Sequence, residues 1–377
     1  MKDNYDLITT SQAIFDVVKR GNQVEETRIQ YEIKCIGNEI ETSQIGKETV
    51  KYKFTITKID LLTQNKKSHD IVRRYTHFLW LQNELQNKQI GRIIPSLPER
   101  QTVYDKDKRK LEFVFFMQKI LSHKKLQSVD CSEKFFGEEL KEYDAFQQYI
   151  ENMKDQQNII NKFINAGLSI MSMFSKVYNY KNVQIIPRIP DEFDKQFDEY
   201  KKELEQNKLN TEIITSDLQK IVQKLQIQTR ALSNSSEIFM NECQGSEEFN
   251  ILQIIIKIYE SYEIRLRQKY IYRMETSLKD YDEAIKLINL YKELKDQINQ
   301  DTQLINNPNY RSQIDELKSE INNNKQKVEQ LNINFIDDIK IFRQQQSWCL
   351  NDVQKNFQID LQDCYQSIKQ QKNVEHF

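Results

Sequence analysis

Between Thr27 and Gly37 (TRIQYEIKCIG) and between Val50 and Leu62 (VKYKFTITKIDLL), apolar and polar side chains alternate. That is the period of a strand with one buried face. HDIVRRY, His69–Tyr75, predicts a third, shorter strand. The period then lengthens. Phe78, Leu81 and Leu85, and later Phe113, Phe116 and Ile120, recur at three and four residues, as on the buried side of a helix. A three-stranded antiparallel sheet backed by helices, of α+β type, is the expected fold of the front of the chain.

The back of the chain has a different rhythm. Its five prolines stand at Pro95, Pro98, Pro187, Pro190 and Pro308, and of seven glycines only Gly245 lies beyond residue 167. A region so free of helix breakers, interrupted only near Gly245 and Pro308, predicts three long helices: Asp191–Glu242, Ser246–Asn306 and Asn309–Lys372. Phe193, Phe197, Tyr200 and Leu204 set the pattern on the first. Ile314, Leu317, Ile321, Val328, Leu331, Phe335, Ile339 and Phe342 carry it along the third. At 1.5 Å per residue such helices are roughly 75–90 Å long, too long for a small globule. An all-α, elongated, coiled-coil-like three-helix bundle is expected, with pairing to a second chain to cover Ile213, Val222, Ile254 and Ile256.

Net charge is −1 but unevenly spread. Residues 1–190 carry 30 basic against 24 acidic side chains (+6), and residues 191–377 carry 25 against 32 (−7). The acidic helical half, without a long basic face, disfavours nucleic acid as a partner. The five scattered cysteines (Cys35, Cys131, Cys243, Cys349, Cys364) contain no CxxC and predict reduced thiols in a cytosolic protein. The start of the chain has no signal-peptide pattern, and no apolar run is long enough to span a bilayer. Phosphate-loop, HExxH and GxSxG motifs are absent and the four histidines are isolated, so neither an enzyme nor a metal or other cofactor is expected.

The cations of the front half fall in three groups: Arg73/Arg74, Arg100, and Lys106/Lys108/Arg109/Lys110. Arg100 follows a proline-braced loop, Ile94-Pro95-Ser96-Leu97-Pro98-Glu99. Forked guanidinium groups match phosphate, and a tyrosine beside them can cover the face of a sugar-like ring. Together these are the groups that a phosphorylated inositol needs.

In its motifs this region, about Thr27–Met153, resembles the phox-homology (PX) domain. Arg73-Arg74-Tyr75-Thr76-His77-Phe78 stands for the family's Arg-Arg-Tyr/Phe-Ser-Asp-Phe. Ile94 through Arg100 matches its apolar-Pro-x-x-Pro-x-Lys loop. Arg109, fourteen positions before His123, matches the basic residue that opens the next helix. The resemblance implies that Arg74 holds the 3-phosphate of phosphatidylinositol 3-phosphate and that Tyr75 packs on the inositol ring. Arg109 would bond the ring hydroxyls and Arg100 the 1-phosphate. Arg73, Lys106, Lys108 and Lys110 are secondary lipid-binding candidates. Two departures stand out: the loop cation is Arg rather than Lys, and His77 replaces the aspartate that braces the strand end.

Between the halves, Ile160, Phe163, Ile164, Leu168, Met171 and Phe174 share one helical face opposite a polar, nearly uncharged one. Such a helix suits a membrane interface or docking on the bundle. A PX domain, an amphipathic helix and three long helices are the plan of the sorting nexins with a BAR domain, and the chain resembles that family. Its expected parts are an extension (1–25), the PX domain (26–153), an amphipathic helix and proline-containing linker (154–190) and a dimerising BAR domain (191–377). Arg265, Arg267, Lys269, Arg273 and Lys279, with a local net of +3, are candidates for the concave basic surface. The resemblance implies a cytoplasmic protein peripheral on early endosome membranes, sensing or inducing curvature in cargo sorting. It also implies a homodimer, or a heterodimer with another BAR-type sorting nexin, and retromer-like coat or cargo partners. The alternative is a PX-targeted coiled-coil adaptor that recruits partners without bending membrane.

Overall fold

The computed structural model describes residues 29–42, 48–98, 106–137, 190–242 and 246–373. Strands β1 (Ile29–Thr42), β2 (Glu48–Asp60) and β3 (Lys66–Arg74) form an antiparallel sheet in the order β1-β2-β3. Alternation turns Tyr52, Phe54, Ile56 and Ile71 inward. They meet α1 (Tyr75–Lys88) and α2 (Lys106–Ser122), where Phe78 and Phe113 stack 3.9 Å apart at 15°. Two short helices, α3 (Lys124–Gln127) and α4 (Asp130–Phe136), close the core, with Phe135 edge-on to Phe78 at 5.0 Å. The α+β expectation holds. Tyr75, however, opens α1 rather than ending β3.

Three rods make the second unit. The first is α5 (Glu192–Glu242). The second runs through α6 (Glu247–Leu266), a π-helical turn (Arg267–Ile271) and α7 (Tyr272–Ile305). After a 3₁₀ turn (Pro308–Gln313) comes α8 (Ile314–Asn373). At 51 and 60 residues, α5 and α8 are about 75 and 90 Å long, as the breaker-free sequence predicts. Their seam is aromatic: Phe197 stacks on Tyr291 at 4.0 Å and lies 5.1 Å from Phe335.

Two details differ from expectation. The second rod is not a single α-helix. A π turn widens the spiral locally, and from Tyr270 to Met274 five consecutive side chains are buried. An amphipathic helix would expose some of them. Here both sides are covered, by Val353 and Phe357 of α8 and by Leu111 and Phe115 of α2. Secondly, Val222 and Ile256 are buried within the chain, whereas Ile213 and Ile254 are 54% and 42% exposed. Only the latter two still need a partner to cover them.

Candidate functional site

At the end of β3 the strand period sends two adjacent arginines in opposite directions. Arg73 turns inward and is buried. Its Nε donates to the Phe135 carbonyl at 2.9 Å, Nη1 to the Val72 carbonyl at 2.9 Å, and Nη2 to the carbonyls of Phe135 and Gly137. The guanidinium also lies 5.4 Å from the Phe135 ring centre. A cation on the carbonyl end of α4 complements its dipole and its orphan acceptors. Burial pushes the Arg73 pKa down to about 10, leaving it charged at neutral pH. The expectation that Arg73 is a lipid contact is therefore corrected: it is a strut between β3 and α4.

Arg74 faces the other way and is half-buried. Its backbone is extended (φ −101°, ψ 163°), and it immediately precedes the first turn of α1. Its N–H donates to His77 Nδ1 at 3.3 Å. The imidazole thus supplies the brace that the family's aspartate would give, by accepting from the same end of the strand.

Tyr75 links three elements. Its hydroxyl donates to the Pro98 carbonyl at 2.9 Å, fixing the end of the proline loop. The Arg109 guanidinium lies 5.7 Å from its ring centre, a cation–π contact. Phe113 backs the ring at 6.1 Å. Arg109 is buried on α2. Arg74, Tyr75, Arg109 and the Pro98 end of the loop therefore converge, although thirty-five residues separate the first from the third.

The other candidates divide. Arg100 lies outside the described residues, as do the six apolar positions from Ile160 to Phe174. Lys106 begins α2, and its side chain is also outside them. Lys108 is engaged on the bundle, 2.5 Å from Glu275 Oε2 and 5.4 Å from the Tyr272 ring centre. Lys110 is half-buried beside Arg109.

Each cation of the basic strip on the second rod has an acidic partner, although Arg265 remains 48% exposed. Arg265 and Lys269 reach Asp360 at 3.4 and 2.8 Å. Arg273 is buried, paired with Asp352 at 2.9 Å, and lies 5.2 Å from the Trp348 ring centre. Arg267 pairs with Glu263 at 3.2 Å, and Lys279 reaches Glu112 of α2 at 3.0 Å. Arg265, Lys269 and Arg273 tie the second rod to α8 and Lys279 ties it to α2, whereas the Arg267–Glu263 pair stays within the second rod. Among the described residues no helix is long and apolar enough to cross a membrane.

The bundle also supplies groups that sequence reasoning missed. Asn334 Nδ2 donates to the Ile90 carbonyl at 2.7 Å. Asp338 receives Arg92 Nη1 at 2.5 Å and the Ile93 N–H at 3.0 Å, with His123 Nε2 3.3 Å away. Asp280 accepts from Ser96 N–H at 3.2 Å and Ser96 Oγ at 3.1 Å, and pairs with Lys119. The loop leading to Pro98 is thus held from the bundle side.

The PX domain family matches residues 61–139. Sorting nexin-33 of Xenopus laevis is 36% identical over 81 residues, covering 20% of this chain and 15% of the relative. Sorting nexin-33 of Homo sapiens is 25% identical over 195 residues, covering 47% and 31%. The matched stretch thus spans less than a third of either relative's length. Among solved structures, the cryo-EM structure of the SNX-BAR Mvp1 tetramer is similar with a TM-score of 0.45 and 14% identity, covering 91% of this chain and 99% of that one. Residues 61–139 thus match the PX domain, the chain is similar to sorting nexins over the stretches matched, and a three-helix bundle follows that domain.

Proposed function

We propose that the chain binds phosphatidylinositol 3-phosphate through Arg74, Tyr75, Arg100 and Arg109, and so attaches peripherally to early endosome membranes. One observation carries this reading: Tyr75 joins Pro98 to Arg109 directly beside Arg74. A ring-covering tyrosine flanked by two guanidinium groups, at the mouth of an α-helix whose first N–H groups lack intrahelical partners, offers donors on several sides of an anionic headgroup. Arg100 follows Pro98 by two residues and adds a further cation.

Exposed apolar side chains on the bundle (Ile213, Ile227, Ile254 and Ile264) favour pairing with a second chain, of the same kind or another BAR-type sorting nexin. Pairing doubles the headgroup pockets, and effective concentration then turns two weak contacts into avid attachment. The segment with Phe163 and Leu168 would add apolar burial, about 0.8 kcal/mol per inserted CH₂, most available where curved lipids pack loosely. Curvature sensing in endosomal sorting, with coat or cargo partners, follows from this arrangement.

A second reading is favoured by the pairing of Arg265, Lys269 and Arg273 inside the chain: an adaptor targeted by the PX domain that does not bend membrane. Liposome flotation across a phosphoinositide panel tests the headgroup. Electron microscopy of large vesicles at high coverage separates the two readings, since tubules form only under the first. Equal flotation on all phosphoinositides contradicts 3-phosphate recognition.

A further inference from the structure

The headgroup pocket proposed above has one wall, the loop from Ile90 to Pro98, that belongs by sequence to the PX domain but is shaped by the bundle. Gly91 has φ +86°, and a Cβ there would overlap the Leu331 backbone of α8. Ile93 is buried among the bundle's aromatic side chains, and Asp338 takes Arg92 and the Ile93 N–H. On the PX side, Gln82 Nε2 donates to the Pro95 carbonyl at 3.0 Å. Pro95 and Pro98 fix their own φ, which leaves Ser96 and Leu97 to set the path between them.

Ser96 is fixed by the bundle. Both its N–H and its Oγ–H point to one carboxylate oxygen of Asp280, which is 3% exposed and midway along the second rod. The other oxygen takes Lys119 of α2. Two residues on, the Pro98 carbonyl receives Tyr75. The chain of contacts Asp280–Ser96–Pro98–Tyr75–Arg109 is short and made of hydrogen bonds, a fixed backbone and a cation–π contact.

We infer that Asp280, a residue of the BAR bundle, is a positioning residue for the phosphoinositide headgroup, and that the pocket reaches full affinity only with the bundle docked. Resting on the headgroup reading above, this adds a coupling between the two domains. Without the carboxylate, the loop must be ordered when the headgroup arrives, and that cost appears as weaker binding. By linkage the coupling runs both ways, so headgroup binding tightens the docking of the PX domain on the bundle.

The test is calorimetric titration of the full chain with soluble inositol 1,3-bisphosphate, which removes avidity and curvature. Asp280→Ala should weaken binding about tenfold or more, the range of lost hydrogen bonds to a charged group. Asp280→Asn keeps an acceptor for Ser96 and should stay within about threefold of wild type, a rescue that a merely destabilised bundle would not give. Hydrogen exchange on the wild type needs no variant: the headgroup should slow exchange at Ser96 and in α7 around Asp280. If wild type binds, Arg74→Ala does not, and Asp280→Ala binds like wild type while remaining folded, the positioning role is wrong and the pocket stands. Unchanged exchange in α7 and at Ser96 on headgroup binding overturns the role equally. If wild type itself binds no headgroup, the pocket assignment falls and takes this role with it.

Discussion

Gly91 of the PX domain and Leu331 of α8 meet backbone to backbone, at a position where a side chain on residue 91 would have no room. The φ of +86° at Gly91 is one that L side chains rarely adopt, so strain adds to overlap. Gly91→Ala should therefore cost about 2 kcal/mol or more. Chemical denaturation followed by circular dichroism and by near-ultraviolet aromatic signals should show an earlier midpoint, with the PX aromatic signal lost ahead of the bundle helicity.

Arg73 and Arg74 should separate cleanly when each is truncated. Arg73→Ala leaves the Phe135 and Gly137 carbonyls without their buried donor, at a cost on the order of 3 kcal/mol, and should lower the melting temperature. Arg74→Ala removes a half-buried cation and should leave melting nearly unchanged while abolishing headgroup binding. Thermal melts and flotation on the same two variants check both halves.

Truncating Arg273 should unsettle the bundle rather than weaken lipid contact. The side chain is buried with Asp352, and removing one member of such a pair leaves an uncompensated charge, about 3–5 kcal/mol. Arg273→Ala should therefore melt earlier, while the folded fraction floats with vesicles as wild type does. A loss of flotation at an unchanged melting temperature would restore Arg273 to the membrane surface.

Asp301, fully buried near the end of α7, gives a pH signature. Desolvation raises its pKa, Gln297 donating to Oδ1 at 2.7 Å works against that, and nearby Glu320 adds to it. A carboxyl whose folded pKa is raised binds its proton more tightly in the folded state, so its penalty is present at neutral pH. That penalty fades as pH falls through the folded value toward the ordinary carboxylate range. Asp301→Asn should raise the melting temperature at pH 7, and the gain should vanish under acid. Paired scans at neutral and acid pH read this directly.

The fold was legible where the period repeated often. Four turns or more of apolar spacing, as from Ile314 to Phe342, leave little room for another answer, and β2 alternates over its whole length. The site was legible in part, because Arg74, Tyr75 and Arg109 lie in local motifs. What the inward face of β3 meets was not: the carbonyls that take Arg73 come from residues 62 and 64 positions away. Arg265, Lys269 and Arg273 sit four apart on one helical face, a spacing that fits an open basic strip and cross-helix pairing equally. Only the distant carboxylates at Asp352 and Asp360 decide between them. The bundle's hold on the loop had a weaker signal: Asp280 and Asp338 are acids beside buried aliphatic and aromatic positions, Tyr281 and Ile339, where a solvated carboxylate is out of place.

Recognition of the 3-phosphate of a lipid headgroup by Arg74 and its neighbours is the proposal on which the rest depends. The most direct measurement is flotation of the full chain on vesicles of neutral lipid with or without a few per cent phosphatidylinositol 3-phosphate, beside the Arg74→Ala variant. Wild type should float only with the 3-phosphate lipid, and the variant should stay in the soluble fraction, having lost on the order of 1.5–3 kcal/mol per site. A folded Arg74→Ala chain that floats as well as wild type on those vesicles would contradict it.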